Sequence, residues 1–572
     1  MMTYRWEFKE PHAQVDSVME LINIPRVIAQ ILLNRRVSTF EDARCFLKPT
    51  LDDLHNPFLM QDMDIAVDRI STAIENGESI MVYGDYDVDG TTATTLLYLV
   101  LQALSCQVSY YIPSRIKEGY GLSSTGIQEA VQRGVTLIVS VDCGITANEE
   151  VLYAKSCGID TIVIDHHMPG DEIPKAVAVL NPKRSDCSYP FKELCGVGLA
   201  YKVAQALAEQ VGLPDDVIYA HLDLVALGTT ADIVPLRDEN RILTKYGLSM
   251  MQQTRKPGLQ ALINTAGMKE KEIATDQLVF GLAPRINAAG RMGDASRVVR
   301  LLTTQDRAEA SDLASELDSE NQRRREQDAV AFEDAKTLVE SQDFLQNANG
   351  LVLASSKWHP GVIGIVASRI VEVYHRPTVM IAVDGDMGRG SARTMGDFHL
   401  YNALKECADL LVQFGGHHHA AGLSIEAGRI DAFRHRFHEV VSARATPLDF
   451  IPRLTVDTEI DFEEITPRLI KLLKMLAPFG SANHHPVLVT RNLSLVGNPN
   501  LIGVDKNHLK FKVRAREKVF EAIAFGMADY ADRLRAFPNQ ISLAYSVEEN
   551  AWNGQTTIQL RVKDIRVGSE DG

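Results

Sequence analysis

The sequence has little cysteine and no long apolar run. Its 572 residues include seven cysteines, and no two of them have the CxxC spacing of a redox or zinc motif. An odd number of scattered cysteines argues against a disulfide framework and favours a reducing compartment. No apolar run approaches the ~18 residues that a membrane-spanning helix needs, and MMTYRWEFKEPH lacks the apolar stretch of a signal peptide. We therefore expect a cytoplasmic protein without a membrane partner.

Several common catalytic motifs are missing. The sequence holds no GxxxxGK[ST] phosphate loop, no GxSxG nucleophile elbow and no HExxH zinc motif. Gly196-Val197-Gly198 lacks the third glycine of a dinucleotide fingerprint and follows a cysteine-containing loop, so it supports a dinucleotide site only weakly. These absences leave metal-dependent chemistry as the leading expectation.

Positive charge is scarce. Lys and Arg number 59 against 75 Asp and Glu, which gives a formal net charge of −16. Because phosphate binding normally needs local positive charge, this balance alone argues against DNA as a partner. The hydrophobic content of 45% and charged content of 23% are ordinary for globular proteins and exclude wholesale disorder.

Strands alternate with helices between residues 65 and 235. The apolar segments SIMVYG, VTLIVSVD and TIVIDHH are separated by helical segments, which predicts βαβ units and a parallel sheet. A long polar helix without Pro or Gly follows, then a second α/β segment, then short alternating strands typical of a small β-barrel or sandwich. We predict a multi-domain α/β protein, divided at residues 1–50 (short helices), 51–305 (parallel sheet), 306–345 (connecting helix), 346–448 (smaller α/β domain) and 449–572 (β-barrel).

Three carboxylates follow the first strand of this sheet. Asp85, Asp87 and Asp89 occupy alternate positions and offer the hard oxygen ligands that Mg²⁺ or Mn²⁺ prefers. The same pattern begins a calcium EF-hand loop, but position 12 of that loop would be Leu96, where a bidentate Glu is required. A strand also precedes the motif, so the EF-hand alternative is disfavoured.

Further acidic and imidazole groups follow other predicted elements. These are Asp142, the triplet Asp165-His166-His167, and Asp232 after the apolar run LDLVAL. Asp142 alone leaves open whether it is a ligand or a cap at the end of a strand. Open α/β sheets bind ligands outside the carboxyl ends of their strands, so four such clusters predict one shared metal site. Two divalent ions ~3.5–4 Å apart suit the hydrolysis of a phosphoester.

These motifs resemble the DHH phosphoesterase superfamily, which is named for the triplet Asp165-His166-His167. The similarity extends to its bacterial 5′→3′ single-strand-specific DNA exonucleases, in VYGDYDVDGTTAT, PSRIKEGYGL, LAPRINAAGRMGDA, GRGSARTMGDFHL, FGGHHHAAGL and LAPFGSANHHPV. The resemblance implies a DHH domain, a DHH-associated domain joined to it by the long helix, and a C-terminal OB-fold that binds nucleic acid. It implies a two-metal hydrolase that degrades single-stranded DNA to 5′-mononucleotides in recombination and repair.

The resemblance also implies roles for individual residues. The metal ligands would be Asp85, Asp87, Asp89, Asp142, His166 and Asp232, with Asp142 and Asp89 as bridges. The catalytic set comprises Asp87, Asp89, Asp142, His166, Asp232 and also His167, which would face the scissile phosphate. Substrate phosphates, including the 5′ end, would be bound by Arg115, Arg285, Ser391, Arg393, Gly415, Gly416 and His417. Ala482 stands where the family commonly has glycine, which weakens the expectation of a backbone contact at 480–483.

One segment near the C-terminus is basic. Residues 487–568 hold 12 Lys and Arg but 8 Asp and Glu. At a period of two, one face of a predicted strand would present Lys510, Lys512, Arg514 and Arg516, and the other face is apolar. The residues alone leave open whether this face is merely solvated, and the resemblance favours a DNA track. The same alternatives hold for Arg323-Arg324-Arg325 on the long helix.

The resemblance implies single-stranded DNA as substrate, with a single-stranded-DNA-binding protein and a helicase as partners of a monomeric enzyme. A rival within the superfamily is a phosphatase for oligoribonucleotides, cyclic dinucleotides or pyrophosphate, but such enzymes generally lack the OB-fold. A second rival is a DNA-binding scaffold with a dead site, as in a related subunit of the eukaryotic replicative helicase. The intact ligand positions weigh against this rival.

Overall fold

A computed structural model describes residues 4–568 apart from residues 116, 270–271 and 553–554. The chain forms two compact units. Residues 41–323 and 476–484 make up the parallel-sheet unit, and residues up to 40, 324–475 and from 485 onward make up the barrel unit. The chain therefore passes between the units four times. No helix in the described part of the chain has the length and apolar character needed to cross a membrane.

The secondary structure of the described residues alternates in the first half of the chain and is rich in strands at the end. The strands are β1 (Arg5–Phe8), β2 (Ser79–Tyr83), β3 (Gln107–Tyr111), β4 (Leu137–Val141), β5 (Asp160–Ile164), β6 (Ala178–Leu180), β7 (Leu351–Ser355), β8 (Thr378–Asp384), β9 (Met387–Arg393), β10 (Gln413–Gly416), β11 (Ala420–Glu426), β12 (Arg453–Val456), β13 (Thr458–Glu459), β14 (Leu488–Ile502), β15 (His508–Ala515), β16 (Lys518–Ala524), β17 (Ile541–Trp552) and β18 (Gln555–Val567). The helices are α1 (Val15–Ile22), α2 (Arg26–Asn34), α3 (Phe40–Leu47), α4 (Met63–Glu75), α5 (Val88–Ala103), α6 (Ser124–Gln132), α7 (Asn148–Ser156), α8 (Gly196–Val211), α9 (Asp215–Tyr219), α10 (Leu222–Ala231), α11 (Asp238–Gln252), α12 (Pro257–Thr265), α13 (Thr275–Gln277), α14 (Ala283–Met292), α15 (Ser296–Thr303), α16 (Arg307–Ser341), α17 (Asp343–Asn347), α18 (Ile363–Tyr374), α19 (Leu400–Lys405), α20 (Ile430–Arg444), α21 (Pro467–Met475) and α22 (Tyr530–Ala536).

The parallel-sheet unit is built around a five-stranded sheet in the order β3-β2-β4-β5-β6, and every pairing in it is parallel. Alternate residues of the central strands enter two different cores: Val82 and Val139 pack with α5 and α8, whereas Tyr83 and Ile138 pack with α6. Burial of both faces explains why these strands are continuously apolar. The predicted parallel sheet is confirmed.

Helix α5 is buried although its first half is rich in threonine. The hydroxyls of Thr92, Thr94 and Thr95 each donate to the carbonyl four residues earlier, at 2.7 Å. These bonds satisfy the hydroxyls inside the helix, so the polar side chains need no water. A threonine-rich helix can therefore begin directly behind the acidic motif and still lie in the core.

Two parts of the sequence differ from their prediction. The run LDLVALGTT lies in helix α10, so Asp232 follows a helix and not a strand of the sheet. The N-terminal segment contains a strand besides its short helices: β1 pairs in parallel with β12, and Trp6 donates through Nε1 to Asp564 at 2.7 Å. This pairing joins residues more than 440 positions apart, which local sequence patterns do not encode.

The barrel unit contains a mixed sheet and a closed barrel. The mixed sheet has the order β10-β11-β9-β8-β7, in which only β7 and β8 are parallel. The barrel runs β14-β15-β16-β18-β17 and closes by pairing β17 with β14. The predicted smaller α/β domain and β-barrel are thus both present. The predicted connecting helix is the 35-residue α16.

Candidate metal centre

The acidic motifs meet at the carboxyl edge of the parallel sheet. Asp85 follows β2, Asp142 follows β4 and Asp165 follows β5. Asp87 caps helix α5, where its carboxylate accepts the Gly90 N–H at 3.0 Å. Because strands β2, β4 and β5 are parallel neighbours, their ends bring these carboxylates into one volume.

Asp89 is held by the start of another helix. Its two carboxylate oxygens accept the backbone N–H groups of Gly196 and Val197, at 2.6 and 2.7 Å, at the N-terminus of α8. A Cβ on residue 196 would come within 2.6 Å of the Asp142 Cβ, so only glycine permits this approach. Gly196-Val197-Gly198, which sequence reasoning tested only as a dinucleotide motif, therefore fixes an acid of the centre.

One imidazole nitrogen lies among three of the carboxylates. His166 Nε2 is 3.1 Å from Asp142 Oδ1, 3.6 Å from Asp232 Oδ2 and 3.8 Å from Asp89 Oδ2. Burial, and next the nearby His167, lower the pKa of His166 to about 3, which keeps the imidazole neutral. A neutral imidazole among anionic oxygens is a donor set suited to a divalent cation.

The carboxylates are electrostatically incomplete without a cation. Burial raises the pKa of Asp89 to about 7 and that of Asp232 to about 9, and repulsion from the neighbouring carboxylates adds to both shifts. The pKa values of Asp85 and Asp142 are raised for the same two reasons. A divalent ion would lower these pKa values, because it stabilises the anionic form of every carboxylate around it.

The orphaned atoms of the centre fit a metal. Within the described part of the chain, no hydrogen bond reaches Asp85 Oδ1, Asp142 Oδ1, His166 Nδ1 and Nε2, or Asp232 Oδ2, although all are buried. With the neighbouring Asp87, Asp89 and His167, these residues form three overlapping groups with ligand spacing: Asp85, Asp87 and Asp142; Asp89, His166 and Asp232; and Asp142, His166 and His167. The structure thus brings together all six predicted metal ligands. Asp142 belongs to two of the groups.

His167 is oriented by Asp165, whose own role the sequence did not reveal. Asp165 Oδ1 accepts from His167 Nδ1 at 2.7 Å, and its other oxygen accepts the Ile145 N–H at 2.9 Å. Burial lowers the pKa of His167, but the bond and charge of Asp165 outweigh it and leave that pKa above its usual value. The bond to Asp165 engages Nδ1 of His167, so Nε2 is the ring nitrogen that could reach a substrate. The sequence feature that could have indicated this role is the place of Asp165 in the triplet, two residues before His167.

The two predicted phosphate-binding arginines of this unit are placed differently. Arg115 is exposed on the loop after β3, with its guanidinium 5.2 Å from the centroid of the Tyr86 ring. Arg285 is on α14, where Nε lies 2.9 Å from Asp318 and Nη1 donates to the Gly281 carbonyl at 2.6 Å. Arg285 would therefore have to share its charge between Asp318 and a substrate.

The remaining predicted phosphate-binding residues lie in the barrel unit. Ser391 and Arg393 are on β9, and Arg393 Nη1 donates to Ser391 Oγ at 3.1 Å. Gly415 and Gly416 are on β10, and His417 donates its backbone N–H to the Ala420 carbonyl at 2.8 Å. The register aligns Gly415 with Gly422 and Gly422 with Ser391, so these positions share one row of the mixed sheet.

The predicted basic strand is β15, but its positive charges are not equivalent. Leu509, Phe511 and Val513 are buried, as the alternation predicts. Lys510 is 3.0 Å from Glu521, whereas among the described residues neither Lys512, whose cross-strand neighbour is also Glu521, nor Arg514 forms an ion pair. Arg516 lies beyond the strand in a left-handed conformation (φ 49°), so the expectation that it continues the basic face is wrong. It lies 3.8 Å from Asp461.

Comparison with known proteins gives matches along most of the chain. A model of the DHH family, N-terminal domain, matches residues 79–229, one of the DHHA1 domain matches residues 347–443, and one of the RecJ OB domain matches residues 456–564. The single-stranded-DNA-specific exonuclease RecJ of Bacillus subtilis is 40% identical over 566 residues, which cover 98% of this chain and 71% of that protein.

Two solved structures from Thermus thermophilus are also similar. RecJ in complex with Mn²⁺ is 30% identical with a TM-score of 0.83, over 99% of this chain and 80% of that one. RecJ in complex with Mg²⁺ is 29% identical with a TM-score of 0.78, over 99% and 79%.

Proposed function

This chain belongs to the RecJ family of single-stranded-DNA-specific exonucleases, and we propose from this premise that it removes nucleotides one at a time from the 5′ end of single-stranded DNA. The products would be 5′-mononucleotides, and the process served would be recombination and repair. The observation that carries the proposal is the group of buried carboxylates around His166 Nε2, whose orphaned oxygens need a divalent cation.

The centre would hold two ions, Mg²⁺ or Mn²⁺. One would be held by Asp85, Asp87 and Asp142, and the other by Asp89, His166 and Asp232. The third group supports adjacent sites, because it shares Asp142 with the first set and His166 with the second. Such ions supply Lewis acidity to a scissile phosphate and a nucleophilic water at neutral pH. Their number in this chain is inferred from the three overlapping donor groups.

The protein groups around the centre have distinct tasks in this proposal. The α8 N–H groups hold the Asp89 carboxylate, and Asp165 holds His167 with its Nε2 toward the substrate. His167 would donate a hydrogen bond to a phosphate oxygen as negative charge develops there. Arg115 would bind the terminal phosphate, because its exposed guanidinium is fixed over Tyr86 near the acidic loop.

The barrel unit would bind the rest of the strand. Ser391, Arg393, Gly415, Gly416 and His417 share the mixed sheet and would contact phosphates there, and the OB barrel would contact the strand through Lys512 and Arg514. Lys510 would contribute less because Glu521 lies beside it, and Arg516 less because it is off the strand. A DHH domain at 51–305, a connecting helix at 306–345, a DHH-associated domain at 346–448 and an OB domain at 449–572 remain the proposed functional division, preceded by residues 1–50.

The proposed surroundings follow from the substrate. A single-strand-specific enzyme needs unpaired strands, which a helicase exposes and a single-stranded-DNA-binding protein keeps open. We place this monomeric enzyme in the cytoplasm, where its seven free cysteines would stay reduced.

A strand-polarity assay tests the proposal. The substrates are single-stranded DNA, duplex DNA and oligoribonucleotides, each labelled at either the 5′ or the 3′ end. Each substrate is incubated with and without Mn²⁺. We expect immediate release of labelled mononucleotide from the 5′-labelled single strand alone, and none without metal. Initial release from the 3′ label, or preference for short ribonucleotides, would contradict the proposal.

The metal centre is tested by Asp142→Asn, which keeps the shape of the side chain and removes the charge of its carboxylate. We expect activity below a few per cent of the wild type with single-strand binding retained. Asp186→Asn, which removes an exposed carboxylate outside the centre, should keep full activity.

A further inference from the structure

Three histidine rings are gathered beside the start of strand β11. His418 and His419 lie between β10 and β11, and His399 lies just before α19. The ring centroids of His418 and His419 are 4.3 Å apart, and those of His399 and His418 are 4.6 Å apart. His399 and His419 are exposed and His418 is half-buried, so the cluster is open to solvent. The proposed function uses the adjacent His417 but none of these three side chains.

The backbone holds the two parts of this cluster together. The Leu400 N–H donates to the His418 carbonyl at 2.9 Å, and the Thr394 N–H donates to the His419 carbonyl at 3.1 Å. Neighbouring side chains of an extended strand point to opposite faces, but His418 and His419 lie in a bend before β11, where their rings meet. The segment that carries His399 is thereby joined to the segment that carries the other two histidines.

Two nitrogens of the cluster have the separation of metal ligands. Nδ1 of His418 and Nδ1 of His419 are 3.3 Å apart. Zinc–nitrogen bonds are about 2.0–2.1 Å long, so two nitrogens at a tetrahedral angle around one ion lie roughly 3.3–3.4 Å apart. The same distance is long for a hydrogen bond between two ring nitrogens. The pair therefore has the geometry of a chelate without any movement of either ring.

The surroundings of the cluster favour the neutral imidazole, which is the form that binds metal. Burial lowers the pKa of His419, and the charges of His418 and His399 act in the same direction, against the opposing effect of Asp397. Among the described residues no carboxylate forms an ion pair with any of the three rings, and Asp397 is itself 2.6 Å from Arg453. No acidic side chain of the described chain therefore competes with a cation for these nitrogens.

We infer that His418, His419 and His399 form a binding site for a transition-metal cation such as Zn²⁺, distinct in its residues from the catalytic centre. Imidazole nitrogen suits Zn²⁺, Ni²⁺ and Cu²⁺, whereas Mg²⁺ and Mn²⁺ prefer oxygen ligands. Nδ1 of His399 accepts the Asn402 N–H at 3.4 Å, so Nε2 is its ligand atom, and a turn of this exposed side chain brings that atom to the ion. Water takes the fourth position, as in three-histidine zinc sites.

The bound ion would have a supporting role. It would join the segment before α19 to the bend before β11, and His417 at the start of that bend is a proposed phosphate contact. Because the ion binds the folded arrangement of the three rings, it would stabilise this part of the mixed sheet. The inference does not depend on the exonuclease activity, which uses residues outside the cluster.

Zinc binding to the full chain tests the inference. Metal-stripped protein is equilibrated with excess Mg²⁺ and titrated with Zn²⁺; calorimetry gives the affinity, and dialysis followed by elemental analysis gives the number of bound ions. Variants are compared under the same conditions, so any Zn²⁺ that enters the catalytic centre is common to all of them. We expect the wild type to bind one Zn²⁺ more per chain than the double variant His418→Asn with His419→Asn.

Two further variants define the third ligand and the specificity. His399→Asn keeps a good residue at the start of α19 and removes the imidazole, so it should weaken Zn²⁺ affinity by at least about tenfold. The matched control is His484→Asn with His485→Asn, which removes another exposed pair of consecutive histidines and should leave Zn²⁺ binding unchanged. Thermal unfolding without Zn²⁺ shows whether each variant is folded.

Anomalous diffraction at the zinc edge, from wild-type crystals soaked in Zn²⁺, needs no variant. We expect a peak between Nδ1 of His418 and Nδ1 of His419. The inference is overturned if no peak lies there, or if the wild type and the His418 and His419 double variant bind equal numbers of ions with equal affinity. An unchanged affinity in His399→Asn, or an equal loss in the control pair, would also contradict a three-histidine site.

Discussion

The backbone of Asp142 is in the left-handed region, with a φ of 59°. Its N–H still donates to the Ile164 carbonyl at 2.9 Å, so the chain leaves the sheet and turns within one residue. Aspartate and asparagine tolerate this conformation better than other L residues, whereas alanine would add backbone strain to the loss of the carboxylate. Asp142→Asn is therefore a cleaner test of the centre than Asp142→Ala.

Asp165 provides a prediction at the same scale. In Asp165→Asn the amide still fits the site, but the charge that supports His167 is lost. We expect kcat to fall about 10- to 100-fold, as for other groups that orient a reacting side chain, with Mn²⁺ affinity changed by less than about threefold. Calorimetric titration with Mn²⁺ gives the affinity, and single-turnover cleavage gives the rate. A large loss of Mn²⁺ affinity would show that Asp165 shapes the metal site itself.

The ligand residues could be predicted because their signal is local. Asp85, Asp142 and His166 follow apolar strands directly, and parallel strands bring their carboxyl ends together. The hydrogen bonds that hold these side chains in place could not be predicted in this way. The bond from Gly196 to Asp89 spans 107 positions and that from Tyr120 to His167 spans 47, and neither pair shares a periodic pattern. Tertiary contacts of this kind depend on helix placement, which a single sequence does not specify.

At the scale of elements, the short segment 476–484 completes the parallel-sheet unit. Its Leu476 and Ala477 carbonyls accept from the guanidinium of Arg241, at 2.9 and 2.8 Å, while Arg241 Nε donates to the Phe46 carbonyl. Leu236, four residues after Asp232, donates its N–H to the Ser481 carbonyl at 2.8 Å. Ala482 adopts a positive φ of 58° despite its Cβ, so alanine takes the conformation here that glycine usually takes.

Arg241→Met tests this anchor. Arg241 is 1% exposed, and its loss leaves several buried carbonyls without donors. We expect a destabilisation of about 3 kcal/mol, seen as a lower midpoint of thermal unfolding. Arg237→Met, an exposed change one turn earlier, is the matched control and should unfold within a degree of the wild type. Equal midpoints for the two variants would contradict the anchoring role.

Elements were predicted best where burial is one-sided or the strand is long. In β15 the alternation identified the buried residues Leu509, Phe511 and Val513. The run LDLVALGTT has no such alternation, and a short continuous apolar run does not distinguish a buried strand from a buried helix. Asp232 was identified as a ligand although the element before it was not, because a strand and a helix over this run would both end just before Asp232.

At the scale of the whole molecule, the net charge of −16 is a poor guide to the partner. Many of the acidic side chains are paired with arginines or gathered in the metal centre, where dications would neutralise them. The groups that would contact DNA are the basic side chains that form no ion pair with the described residues. Among the described residues of β15, these are Lys512 and Arg514.

The salt dependence of binding tests this distinction. Replacing Lys512 and Arg514 by Ala should reduce the magnitude of the negative slope of log K against log salt by about 1.4, since each single-strand phosphate contact contributes about 0.7. The matched double variant Lys510→Ala with Arg516→Ala should lower it less, because those charges already have carboxylate neighbours. Equal slopes for the two variants would place the DNA track elsewhere on the molecule.

The four passages of the chain between the two units set the order in which the molecule is finished during synthesis. Residues 41–323 of the parallel-sheet unit leave the ribosome early, but the segment whose carbonyls accept from Arg241 and Leu236 is made about 150 residues later. At about 5–20 residues per second, the Asp232 region waits on the order of ten seconds for it. The carbonyl anchors of Arg241 and Leu236 therefore form only when most of the chain exists, and a protein cut after residue 448 would lack them.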